Sequence, residues 1–132
     1  MLFNYTNRFS IVTFAGSALI KLINMAKIVI TNIDNKVIST NEKSNTVLKI
    51  LHENFIDWMH ACGGKGRCTT CKMIVIEGME NLGHLTVHEK RFMEMDALKE
   101  NERLTCQCIL EKGVVTIKVP ETSKLPHIQY SD

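Results

Sequence analysis

Four cysteines constrain this chain more than any other feature. They run Cys62-x5-Cys68-x2-Cys71, and Cys106 follows after 34 further residues. Three thiols crowd one short stretch and the fourth lies far along the chain. A fold that unites them must close a loop against a distant segment.

Thiolates are soft ligands and suit iron–sulfur clusters or zinc. Four of them meet the all-cysteine requirement of a [2Fe–2S] centre, with three wrapped around a compact rhomb and the fourth tying the loop to the sheet. The loop between them holds Gly63, Gly64 and Gly66. Glycine permits the unusual backbone angles and close approach such a loop needs, and lets N–H groups point at sulfur. Thr69 and Thr70 add hydroxyl donors. Lys65 and Arg67 place positive charge beside an anionic cluster, which favours its reduced state.

Competing uses of these residues fit less well. A structural zinc site usually shows two close cysteine pairs. Cys68-x2-Cys71 is one, but Cys106-x-Cys108 is a poor second, and Cys62 and the glycines are left unexplained. A thioredoxin-like C-x-x-C leaves the other cysteines idle. A Rieske centre needs histidine ligands, and His60 is not part of a paired Cys/His motif.

The rest of the composition is that of one globular domain. The chain has 132 residues, 45% hydrophobic and 23% charged, and can bury a core without disulfide staples. Five cysteines is an odd number, and their clustering reads as a metal site in a reducing, cytoplasmic setting. From Met25 onward basic and acidic residues balance and are interspersed, which speaks against a nucleic-acid surface. Residues 1–24 stand apart: they lack acids, and the apolar run Ile11 to Ile20 is too short to span a bilayer. A targeting peptide, a membrane-surface helix or an upstream extension all fit. We read an extension, with a domain over 25–120 and a polar, loose tail over 121–132.

Periodicity predicts a hairpin of strands 27–31 and 37–40 around Asp34-Asn35, then a helix over 46–54 capped by Ser44, Asn45 or Thr46. A third strand follows over 72–77. Thr86 and Glu89 form a capping box that opens a short helix, with Val87, Phe92, Met95 and Leu98 turned inward. Strands over 103–110 and 114–119 complete the set. The order implies an α+β fold with helices on a mixed sheet of about five strands.

Here the sequence resembles a known family. Ala61-Cys62-Gly63-Gly64-Lys65-Gly66-Arg67-Cys68-Thr69-Thr70-Cys71 looks like the cluster loop of the β-grasp [2Fe–2S] ferredoxins. Arg103-Leu104-Thr105-Cys106-Gln107 is similar to the segment carrying their fourth ligand, and Leu85-Thr86 with Glu89-Lys90 resembles their short acidic helix. Five residues between the first two cysteines match the adrenodoxin-like and bacterial branch better than the plant type, which has four. The resemblance covers roughly residues 26–120. It implies a β-grasp fold, Cys62 and Cys68 on one iron, and Cys71 and Cys106 on the other. It also implies a monomeric one-electron carrier, not itself an enzyme, between a ferredoxin reductase and an electron-accepting enzyme. Its rivals are an electron donor to iron–sulfur cluster biogenesis and a non-redox zinc module.

Several residues fall outside this ligand set. Cys108, two positions from Cys106 on the expected strand, reads as a buried core thiol. Trp58 reads as core packing rather than a cluster shield, and His60, His84 and His88 as surface positions. Glu89, Glu94, Asp96, Glu100 and Glu102 suggest an acidic docking face, weakened by Lys90, Arg91, Lys99 and Arg103.

Overall fold

The computed structural model describes residues 25–41 and 45–132. The readings of residues 1–24, and of Ser44 as a cap, lie outside them.

Among the described residues there are five strands and two α-helices, β1 (Ala26–Ile30), β2 (Lys36–Thr40), α1 (Val47–Glu53), β3 (Lys72–Glu77), α2 (Val87–Glu94), β4 (Glu102–Leu104) and β5 (Val114–Lys118), with short 3-10 turns at Met79–Asn81 and Glu121–Ser123. The strand order is β2-β1-β5-β3-β4. β1 pairs antiparallel with β2 and parallel with β5, while β3 runs antiparallel to both β5 and β4. This is the mixed sheet expected of a β-grasp. The β1–β2 turn forms where predicted, with Asp34 and Asn35 at φ 50° and 51°, a left-handed conformation that Asn and Asp tolerate better than most residues.

Alternation along the strands builds the core. Ile28 and Ile30 of β1, Met73 of β3, and Val115 and Ile117 of β5 are fully buried, and α1 presents Val47, Leu48, Ile50 and Leu51 to them. Complete burial of one such aliphatic side chain is worth about 1.5–3 kcal/mol. Thr46 caps α1, its Oγ1 accepting from Lys49 N at 3.3 Å. The first two helical N–H groups find partners outside the helix: Val47 N donates to Cys108 O and Leu48 N to Thr105 O, both at 2.9 Å. Amides that a helix start leaves unpaired therefore hold the 105–108 segment.

Four expectations need correction. β4 ends at Leu104 rather than Leu110. Beyond it Gln107 N and Cys108 N both turn back to Leu104 O, so Cys106 lies on a turn and not on a strand. Of the residues expected to turn inward, Leu98 is buried and Phe92 packs against the core, but Val87 and Met95 are 80% and 64% exposed, and within α2 the buried residue is Glu89. Apolarity alone misplaced those two, and an ion pair brings in the glutamate. Finally, the tail is not loose. Ser131 N donates to Asn32 O at 2.9 Å, and Asp132 is paired with Lys118 and Lys124.

Candidate metal centre

Residues 56–71 form a loop without regular structure, entered from α1 and left by β3. Gly63, Gly64 and Gly66 all have positive φ, at 71°, 82° and 70°. At Gly66 glycine is required twice over. A Cβ there would lie 2.9 Å from both Gln107 Nε2 and His88 Cγ, and its φ disfavours any other residue.

The loop brings its sulfurs to the 105–108 turn. Cys62 lies beside Cys68, and Cys71 beside Cys106, each pair within hydrogen-bonding reach. Backbone N–H groups of Arg67, Lys65 and Gly64 point at the Cys62 sulfur. Burial pushes that thiol up, but these donors and Cys68 outweigh it and bring it down to about 7. In the second pair the neighbouring Cys106 sulfur raises the Cys71 thiol, and burial raises it further. Cys106 is lowered to about 6, first by its hydrogen bond with Cys71 and, against burial, by Gln107 and the Gly66 N–H. Gln107 Nε2 stands 3.6 Å from Cys106 Sγ, and Thr70 Oγ1 stands 3.1 Å from Cys68 Sγ. Donors that stabilise thiolates serve equally well for cluster sulfur.

A single carbonyl ties the two halves together. Cys71 O accepts from Trp58 Nε1 at 3.0 Å, from Thr105 Oγ1 at 2.8 Å and from Thr105 N at 3.3 Å. Trp58 and Thr105 are both buried. Trp58 is thus a core residue, as expected, and it also anchors Cys71. Thr105 was not singled out in the sequence; its position next to Cys106 was the available signal.

The segment carrying Cys106 is also held through α2. Glu89 is fully buried and its carboxylate accepts from Arg103 Nε at 2.7 Å, Arg103 Nη2 at 3.2 Å and Leu104 N at 3.1 Å. Its Oε1 completes the capping box by accepting from Thr86 N at 3.1 Å. Arg103 Nη2 also donates to Gly83 O at 2.9 Å.

The remaining candidates separate cleanly. Cys108 is fully buried, and burial pushes its thiol up to about 12. His84 is exposed, while His60 and His88 are half-buried. His60 Nδ1 lies 2.6 Å from Trp58 O. Of the five carboxylates expected to form a docking face, Glu89 and Glu102 are buried, Glu102 pairing with Lys72 at 3.4 Å.

The donor set fits a two-iron cluster: soft sulfur only, arranged as two pairs, with N–H groups aimed at the sulfurs. Among the described residues no three His, Cys, Asp or Glu side chains converge as one metal ion would need.

Known proteins agree. The 2Fe-2S iron-sulfur cluster binding domain family matches residues 31–111. A 2Fe-2S ferredoxin-5 of Aquifex aeolicus is 39% identical over 98 residues, 73% of this chain and all of that protein. One component of the Na(+)-translocating NADH-quinone reductase of Pseudomonas aeruginosa is 35% identical over 112 residues, 80% of this chain and 26% of that component. The crystal structure of an ISC-like [2Fe-2S] ferredoxin from Pseudomonas putida has the same fold, with a TM-score of 0.58 and 24% identity over 78% of this chain and 96% of that one. The chain belongs to the [2Fe–2S] ferredoxins, with their β-grasp fold, and it is a [2Fe–2S] electron carrier.

Proposed function

We propose that Cys62, Cys68, Cys71 and Cys106 are the cluster ligands, with Cys62 and Cys68 on one iron and Cys71 and Cys106 on the other. The observation that carries this reading is that Cys62 lies beside Cys68 on the loop while Cys71 meets Cys106 of the 105–108 turn. Cys108 is left out of the set because the groups acting on its thiol are Arg103, Glu89 and Glu111, with no second cysteine beside it. Once bound, the cluster accepts and releases one electron. The protein's own residues hold the sulfurs and direct N–H groups at them. One side opens toward solvent, where Gly64, Lys49 and His52 line a groove that reaches Cys106.

The chain passes electrons from a ferredoxin reductase to an electron-accepting enzyme, as a cytoplasmic monomer with no catalysis of its own. The working domain is 25–120. Likeness to a component of a reductase supports this placement, as does a cluster loop at the surface. Among the described residues no helix is long and apolar enough to cross a membrane.

Replacing each cysteine by serine tests the assignment. Cys106→Ser should lose or cripple the brown visible absorption and its partial bleaching by one electron. Cys108→Ser should retain both. Loss of the cluster in Cys108→Ser alone would overturn the ligand set.

A further inference from the structure

The loop that carries the sulfurs is rimmed by cations. On residues 62–71 the charged side chains are Lys65 and Arg67, both exposed. α2 abuts this loop: the His88 ring packs so closely on Gly66 that a Cβ there would lie 2.9 Å from Cγ. The charged residues that α2 exposes are Lys90, Arg91 and Glu94. Its carboxylate nearest the loop, Glu89, is turned inward and spent on Arg103. None of Lys65, Arg67, Lys90 and Arg91 forms an ion pair among the described residues.

The exposed acids further on, Asp96 and Glu100, lie past the end of α2. Glu94 lies one turn from Lys90 and Arg91 on the same helix face and offsets one of the four cations, Lys65, Arg67, Lys90 and Arg91. The electron exit therefore keeps a net positive charge. Val87, 80% exposed on the same helix, supplies an apolar contact within it.

Resting on the carrier function above, we propose that the loop 62–71 and the outer side of α2 dock an acidic face of a redox partner. The polarity is opposite to the acidic docking helix that the sequence resemblance implies. Transient redox interfaces are small, below about 1,200 Å², so a few cations around one apolar side chain suffice to orient such a partner. A protein suits this patch better than nucleic acid or lipid. From Met25 onward basic and acidic residues are equal in number, so the domain outside this patch is net acidic and would repel an extended polyanion or an anionic membrane.

The test uses two protein acceptors of opposite charge, each taking one electron from the reduced cluster: plastocyanin, an acidic copper protein, and cytochrome c, a basic haem protein. Copper(II) becomes copper(I), or haem iron(III) becomes iron(II), as the cluster is reoxidised. In stopped flow at low salt, plastocyanin should be reduced about tenfold or more faster than at 0.15 M, within the range of electrostatic steering. Cytochrome c should show no such acceleration. The variant K90E/R91E should reverse this pattern while keeping its visible spectrum; K90Q/R91Q, which should abolish the acceleration, serves if the reversal variant loses its cluster. Salt-independent reduction of plastocyanin overturns the proposal, as does a pattern unchanged in either variant. Co-sedimentation with phosphatidylserine vesicles, lost in K90Q/R91Q while the plastocyanin rates stay unchanged, assigns the patch to lipid and also overturns it. A wrong ligand set shows differently, as a serine variant that keeps or loses its colour unexpectedly.

Discussion

Glu89→Gln is the substitution with the clearest expected consequence. It preserves shape and leaves one amide oxygen to accept from Leu104 N or Thr86 N. It removes the charge that balances Arg103, whose side chain is 4% exposed in the ion pair while that of Glu89 is fully enclosed. Because both groups are so buried, solvent screening barely reduces the effect. Breaking a buried pair from one side typically costs about 3–5 kcal/mol, since an uncompensated charge remains. That is a large share of the roughly 5–15 kcal/mol by which domains are stable. At about 4–8 °C per kcal/mol for a domain near this size, the melting temperature should fall by at least about 12 °C. The measurement is urea denaturation of the cluster-loaded protein, followed by visible absorption and far-ultraviolet circular dichroism. Removing the stranded cation should recover part of the loss. Glu89→Gln/Arg103→Met should be more stable than the two single losses added together, with a coupling above about 1.5 kcal/mol, inside the range seen for contacting residues. A single-variant loss below about 1 kcal/mol, or additive singles, would refute the claim that this pair holds β4 and the Cys106 turn to α2.

Two further substitutions probe the loop and its anchor. Gly66→Ala meets both a left-handed backbone and a Cβ contact of 2.9 Å with Gln107 and His88; we expect a loss of about 1–3 kcal/mol and a shifted reduction potential, read by spectroelectrochemistry. An unshifted potential at full stability contradicts the packing seen at Gly66. Thr105→Val keeps the buried volume but removes the 2.8 Å bond to Cys71 O. Because Trp58 and the Thr105 amide still serve that carbonyl, the loss should be only about 0.5–1.5 kcal/mol, seen as a modestly faster thermal bleaching of the cluster. Bleaching as fast as in Cys106→Ser would mean that Thr105 does more than anchor.

Much of this protein was determined by local sequence. The cysteine spacing and glycine loop pointed to the cluster because soft ligands and permissive backbone angles are properties of residues themselves. Strand β3 at Lys72–Glu77 and the capping box at Thr86–Glu89 were legible for the same reason: alternation and caps act within a few residues. What only the tertiary structure decided involves partners far apart in the chain. The apolar run after Leu104 reads as strand, but amides at the start of α1 claim its carbonyls and turn it, placing Cys106 on a bend beside Cys71. Glu89 reads as a surface acid until Arg103, fourteen residues on, draws it inside. Its departure from the surface is what leaves Lys65, Arg67, Lys90 and Arg91 to set the charge around the electron exit. Burial of a charge depends on whether its partner arrives, and no local pattern of residues records that.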